Sequence, residues 1–254
     1  MSNVPSNIEV KPAYLANLPE DDKSDLRKVM SPPRLKIIQA TSGVKFKPQY
    51  RDGDIIIIPN MIHVGGIEQE FTFVPVHFFP TWCCTNPWKL KDQLPFIREM
   101  SFDEDSTVAK KAKAFIKEPC PQNNQYMIEY RQVLNFLIRI QSDVFDLPQN
   151  PVTLILNKGE YNTGRILSEL IEKRPGPRYV CQFNARSIFR QGKEGNWYGL
   201  EFRNAPQMWV AEDKVEALRA EHIFLKDLVA KRQISIDMDD TDMNGEDASK
   251  ETRF

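Results

Sequence analysis

The sequence is poor in the residues that hold metal ions or cross-link a chain. It has three histidines and four cysteines among 254 residues, and no CxxC or HxxxH spacing. Cys83 and Cys84 are adjacent and do not readily form a disulfide with each other, and with Cys120 and Cys181 they do not have the spacing of a disulfide framework. The start of the chain lacks the apolar segment of a secretory signal. We therefore expect reduced thiols in a cytoplasmic protein that uses no metal or cofactor, with a zinc site as the alternative.

Long apolar runs and catalytic signatures are also missing. No apolar run approaches the roughly 18 residues that a membrane helix needs, so no membrane partner is expected. There is no Walker loop, GxSxG or HExxH motif. The acidic groups at residues 52–54 and 103–105 could hold a metal, but the first resembles a turn and the second the start of a helix. The sequence therefore predicts a protein that is not an enzyme, with a metal-dependent nuclease as an alternative.

Charge is distributed unevenly along the chain, although the net charge is only −1. Residues 234–254 hold seven acidic and two basic residues, and a mildly basic body precedes them. This stretch has too few apolar residues to pack a core, so we expect a disordered tail. Its negative charge could compete with nucleic acid for the protein's own basic groove. Its final phenylalanine ring and terminal carboxylate would suit a pocket on a partner protein. A tail that only increases solubility is the alternative. The predicted partner-binding residues are Asp237, Asp239, Asp240, Asp242 and Phe254.

Alternating apolar and polar residues predict about seven strands. Four consecutive isoleucines at residues 55–58 indicate a strand that is buried on both faces. Helical spacing predicts a short internal helix at residues 165–173 and a C-terminal helix at about residues 211–232, with a helix-like piece at 106–117. We therefore predict a mainly β protein, an OB-like Greek-key barrel with long insertions, one internal short helix and a C-terminal helix. A β-sandwich is the alternative fold.

The composition divides the chain into three regions. Residues 1–30 are polar and punctuated by proline, which predicts a flexible N-terminal arm. Residues 31–232 form the predicted OB-like nucleic-acid-binding domain, with an insertion at about residues 81–125. Residues 233–254 form the predicted disordered acidic tail.

The last predicted hairpin carries the main candidate interface. Residues 178–190 alternate strictly, residues 192–196 turn, and residues 197–203 return. Arginine binds phosphate through two parallel hydrogen bonds, and an exposed indole stacks on any base. Such a face is typical of a groove for single strands, although a solvated charged face is the alternative. Because side chains alternate across a strand, one exposed ribbon should carry Arg178, Arg186, Arg190, Lys193, Trp197 and Arg203.

Further basic and aromatic residues would extend this groove. They come from the first strand, from the loop after it, and from the start of the internal helix, where backbone N–H groups favour phosphate. Trp82 and Trp88 are interpreted instead as core or loop anchors. The additional predicted nucleic-acid-binding residues are Lys36, Lys45, Lys47, Tyr50, Arg51 and Arg165.

A basic β-barrel followed by a helix and an acidic tail that ends in phenylalanine resembles the single-stranded DNA-binding proteins of T7-like bacteriophages. Residues 33–40, 53–56 and 195–200 are also similar to segments of phage OB-fold proteins. The resemblance implies coating and annealing of template strands, protection from nucleases, and docking of replication proteins on the tail. Only Phe254 and the acidic residues from Asp237 onward match, by position, the tail residues of that family. The predicted insertion departs from a minimal OB fold.

The expected function is therefore sequence-independent binding of single-stranded DNA in phage DNA replication or recombination. The expected partners are single-stranded DNA and the replication or recombination proteins that dock on the tail, and the sequence leaves a homodimer open. The expected location is the cytoplasm, that of the host cell if the chain is of phage origin. A phage structural or adaptor protein without a nucleic-acid role is the alternative, beside the nuclease.

Overall fold

Ten strands and three α-helices make up most of the chain that the structure describes. The computed structural model describes residues 30–43, 46, 48–90, 93–141, 150–192 and 195–236. The strands are β1 (Arg34–Ile37), β2 (Ile55–Ile58), β3 (Ile62–Gly65), β4 (Phe71–Thr85), β5 (Ile97–Ser101), β6 (Lys117–Cys120), β7 (Asn123–Gln141), β8 (Val152–Leu156), β9 (Cys181–Gly192) and β10 (Gly195–Trp209). The helices are α1 (Thr107–Lys113), α2 (Tyr161–Glu172) and α3 (Glu212–Ala230).

The ten strands form one mixed sheet, so the predicted mainly β class is confirmed. The strand order is β10-β9-β4-β7-β8-β1-β2-β3, with β5 beside β4 and β6 beside β7. Neighbours pair antiparallel except β1 and β8, which are parallel. Strand pairing in the described ranges does not close the sheet into a barrel. None of the helices in those ranges combines the length and apolar character needed to cross a membrane.

One apolar core gathers side chains from both ends of the sheet. It includes Ile57 of β2, Phe73 of β4, Phe136 of β7 and Phe183 of β9, and α2 contributes Leu167. These residues can meet only if the sheet curls around them, because β2 and β9 lie near opposite ends of the strand order. All four isoleucines of β2 are buried, as predicted, with two of them in a separate cluster on the other face.

The first residues of the predicted tail are packed against the domain. Ile234 and Ile236 are buried in a cluster with α3 and the outer faces of β4 and β7. Met30 fixes this segment, since its N–H donates to Gln233 O at 2.8 Å and its carbonyl accepts from Ser235 N at 2.8 Å. The packed chain thus extends past the predicted boundary at residue 233. Residues 1–29 and 237–254 lie outside the described residues.

The predicted insertion is an extension of the same sheet. β4 and β7 pair from Thr72 opposite Gln141 to Thr85 opposite Glu129, with one register shift between Pro75 and His77, so residues 81–85 belong to a strand. β5, β6 and α1 pack on these distal halves around Trp82, which is buried as an anchor. We call β5, β6, α1 and the distal halves of β4 and β7 the arm.

Candidate nucleic-acid interface

The register of the last hairpin confirms most of the predicted alternation. Trp197 lies opposite Arg190, Glu201 opposite Arg186, and Arg203 opposite Asn184. Directly opposed residues share a face, so the ribbon carries three of the predicted arginines and the predicted indole. Of the apolar residues on the opposite face, Phe183, Ala185, Leu200 and Phe202 join the core, whereas Phe189 is 51% exposed. The sequence pattern therefore assigned the three arginines and the indole to one face of the hairpin correctly.

Glutamates balance the charge of the ribbon. Arg186 Nε and Arg203 Nη2 both donate to Glu201 Oε2, at 2.8 and 2.7 Å, and Arg203 Nη1 lies 3.4 Å from Glu70 Oε1. Burial favours a higher pKa for Glu201, but the hydrogen bonds from the two arginines outweigh burial and lower the pKa. Glu201 is therefore ionised at neutral pH, and the ribbon is a mixed-charge surface rather than a purely cationic one.

Trp197 is only partly exposed, because it packs on the 3₁₀ turn Lys158–Glu160. Its Nε1 donates to Glu160 Oε1 at 3.3 Å, and Arg190 Nε lies 3.4 Å from the same oxygen. The other oxygen of Glu160 accepts from Leu200 N at 2.9 Å. One carboxylate thus fixes the indole, an arginine and the backbone of β10, so the prediction of an unshielded indole needs correction.

Arg178 does not belong to the ribbon. Pro177 starts a 3₁₀ turn, Arg178–Val180, and β9 begins only at Cys181. The Arg178 side chain is partly buried, and this burial lowers its pKa. The strict alternation of the sequence continued the strand too far, because alternation cannot show where a proline-initiated turn replaces strand pairing.

The other predicted residues are dispersed. Lys36 on β1 places its Nζ 4.9 Å from the centroid of the Phe46 ring, and the Tyr50 hydroxyl donates to Met61 O. Arg51 and Arg165 are exposed, in the turn before β2 and on α2. Lys45, Lys47, Lys193, Asp237, Asp239, Asp240, Asp242 and Phe254 lie outside the described residues.

Two grooves adjoin the turn Lys158–Glu160. The first, which we call the hairpin groove, is a cavity of about 490 Å³ between β1, β8 and the hairpin formed by β9 and β10. Arg34 and Lys36 line one wall, and Trp197 and Tyr198 line the other. This groove therefore brings the predicted Lys36 and Trp197 together.

The second groove is larger, and the sequence did not predict it. It is a cavity of about 1020 Å³ between the arm and the start of α2, and we call it the arm groove. The only indications in the sequence were the exposed lysines around α1 and the aromatic residues of β7. Its lining includes five cationic residues, five aromatic residues and one acid: Lys89, Lys113, Lys117, Arg131, Lys158, Phe96, Phe115, Tyr126, Tyr130, Tyr161 and Glu129.

Glu129 organises part of the arm groove. Its Oε1 accepts from Lys117 Nζ at 2.8 Å, and Arg131 bonds its other oxygen. Burial alone would raise the pKa of Glu129, but the hydrogen bond from Lys117 and the charge of Arg131 lower it. The two cations are therefore held at the groove wall by one shared carboxylate, and a bound anion at this wall would meet both.

The described residues show no metal centre. No group of three or more histidine, cysteine, aspartate or glutamate side chains in those ranges is arranged to hold a metal ion. All four cysteines are buried and unbridged, and burial raises the pKa of Cys83 to about 11. Comparisons with protein-family models, curated proteins and solved structures found no match to this chain.

Proposed function

We propose that this chain binds single-stranded nucleic acid without sequence preference, along a path made of the hairpin groove and the arm groove. The observation that carries the proposal is that the two grooves adjoin at one turn, because Lys158 and Gly159 line both of them. Cationic side chains and aromatic rings occur along the whole path. Two acids of the described chain, Glu129 and Glu160, line it, and both already contact cations.

The chemistry of the path suits a flexible polyanion with flat bases. Lysine and arginine neutralise phosphates, and base stacking on aromatic rings tolerates any sequence. Lys89 Nζ lies 5.7 Å from the centroid of Tyr126, and Lys158 Nζ lies 4.3 Å from that of Phe96, so cations and rings are close neighbours in the arm groove. A paired duplex offers phosphates but no free base faces, which favours single strands.

The proposal includes the finer fold and the setting. We propose that the curled sheet is an OB-like Greek-key barrel; the common core supports this, as does the hydrogen bond from Ser187 N of β9 to Gly66 O after β3 at 3.1 Å. On the resemblance above, we propose single-stranded DNA as the ligand, phage replication or recombination as the setting, and partner docking as the role of the acidic tail.

The first experiment measures binding by fluorescence anisotropy with labelled oligo(dT), a duplex of equal length and an RNA oligonucleotide, at a low and a high salt concentration. We expect the single strands to bind more tightly than the duplex, and their affinity to fall as salt rises. A chain that binds none of these ligands, or that prefers the duplex, would contradict the proposal and favour the adaptor alternative.

A variant of Lys158 tests the continuity of the path. Lys158 has φ = 47°, a left-handed conformation that asparagine tolerates, so Lys158→Asn removes the charge with little backbone strain. We expect weaker binding of oligo(dT), with the slope of log affinity against log salt smaller in magnitude by about 1. Lys231→Gln is the matched control, because Lys231, which caps the C-terminus of α3, pairs with Asp227 in the last turn of that helix and lines neither groove. If the two variants show equal slopes of log affinity against log salt concentration, Lys158 does not contact the bound strand.

A further inference from the structure

Phe115 has a backbone conformation that phenylalanine rarely adopts. Its φ is +53°, in the left-handed region that is costly for residues with a side chain. It follows the C-cap of α1, where Phe115 N donates to Ala112 O at 3.1 Å and Ile116 N donates to Lys111 O at 3.0 Å. This pair of bonds is the Schellman motif, whose left-handed position is usually glycine. The backbone therefore gives no reason for phenylalanine at position 115.

The side chain of Phe115 gives no structural reason either. It is 89% exposed, whereas Ile223, another exposed hydrophobic side chain, is 58% exposed. Burial of a phenylalanine normally stabilises a fold, but this ring contributes almost nothing of that kind. Residues that strain the backbone and do not pack in the core are typical of binding sites, where the rest of the fold offsets the strain.

The surroundings of Phe115 indicate what the ring would contact. It lies in the wall of the arm groove together with Lys113 and Lys117, which stand two residues before and after it in the chain. Tyr126 and Tyr130 line the same groove. A flat ligand that stacks on Phe115 would thus lie in a groove that cationic side chains also line, which fits a base whose flanking phosphates are negatively charged.

We infer that Phe115 stacks on an unpaired nucleobase and is the residue by which the arm groove selects single strands over duplex. This inference rests on the proposed function and names a specificity-determining residue for it. Bases in a duplex have both faces covered by neighbours, so stacking on Phe115 adds affinity only for strands with free base faces. The ending of α1 fixes the backbone at Phe115 in advance, so binding requires no ordering of that backbone segment.

The test compares Phe115→Gly with Phe115→Trp in the full-length chain. Glycine suits the left-handed position, so the glycine variant should unfold at the same or a higher urea concentration than the wild type. Its affinity for oligo(dT) should nevertheless fall by about 10-fold, while weak binding of a duplex should not change. The tryptophan variant should retain or strengthen binding of oligo(dT). Phe224→Ala removes another exposed phenylalanine, which lines neither groove, and should bind like the wild type.

Three outcomes separate the claims. Wild-type affinity in the glycine variant would overturn the role of Phe115 and leave the proposed function standing. A lower urea midpoint together with weaker binding would also overturn it, because the ring would then have a structural role. Failure of the wild-type chain to prefer oligo(dT) over duplex would overturn the proposed function itself.

Discussion

His77 on β4 is buried beside His222 of α3, with the ring centroids 5.3 Å apart. Burial, then the charges of His222, Arg178 and Lys226, lower the pKa of His77 from 6.5 to about 4. The folded protein therefore keeps His77 neutral while the unfolded chain takes up a proton near pH 6.5. The resulting stabilisation is fully present above that pH and is lost as the pH falls towards 4; it amounts to at most about 3 kcal/mol.

We expect the free energy of unfolding to drop between about pH 7 and about pH 4.5, and to drop less in His77→Phe. The Nδ1 of His77 has no hydrogen-bond partner within the described structure. Replacing His77 with phenylalanine therefore breaks no hydrogen bond at that atom. Urea unfolding at the two pH values measures the difference. An equal drop in wild type and His77→Phe would exclude His77 as the cause.

Single residues also show where sequence reasoning stops. The alternation placed Arg186 and Arg203 on one face, and by the same parity Glu201 lies there too, but its ion pairs with both arginines were not predicted. Glu160 could not be anticipated, because it lies before α2 and meets Arg190 and Trp197 only in the folded chain. Sequence shows a side chain's charge and face, but its distant partner is set by the tertiary fold.

At the scale of elements, β10 packs closely against the turn Lys158–Glu160 at Gly199, where the absence of a side chain allows the close approach. A Cβ at Gly199 would overlap both Glu160 Oε1 and Arg190 Nε. We expect Gly199→Ala to lower the free energy of unfolding by about 1–3 kcal/mol, because the carboxylate that holds the indole must move. Urea unfolding measures the loss, and the intrinsic tryptophan fluorescence should shift because Trp197 loses its anchor.

The control for Gly199→Ala lies on the other side of the same contact. A Cβ at Gly159 would stand 3.4 Å from the Trp197 ring, an ordinary van der Waals distance. Gly159→Ala should therefore leave stability and fluorescence nearly unchanged. If both variants lose stability equally, crowding of the turn in general, and not the position of Glu160, would explain the loss at Gly199.

The elements that the sequence predicted well have one solvated face. In the β9–β10 hairpin, α2 and α3, polar residues on the outer side alternate with apolar residues on the inner side, so the strand or helix periodicity is visible in the sequence. The distal half of β4 carries no such period, since residues 81–85 are buried throughout, and the sequence analysis placed the start of an insertion there. Pairings such as β4 with β9 join residues far apart in the chain, so local pattern could not predict the strand order or the arm groove.

At the scale of the whole molecule, the two ends of the described chain meet on the outer face of the sheet. Met30 bridges to Ile234, and Ile234 and Ile236 are 3% and 6% exposed in the cluster that α3 covers. A chain that stops after Arg232 would lose both isoleucines, and burial of each contributes about 1.5–3 kcal/mol. We expect that truncation to lower the free energy of unfolding by about 3 kcal/mol or more, measured by urea unfolding.

A chain that stops after Ile236 separates this packing from the charge of the tail. It keeps the docked isoleucines and loses seven acidic and two basic residues, so its urea midpoint should match that of the full chain. Without a polyanionic segment to compete for the cationic grooves, it should bind oligo(dT) more tightly at low salt, and the gain should vanish at high salt because screening weakens both interactions. An unchanged affinity at low salt would exclude self-competition and leave partner docking as the proposed role of the tail.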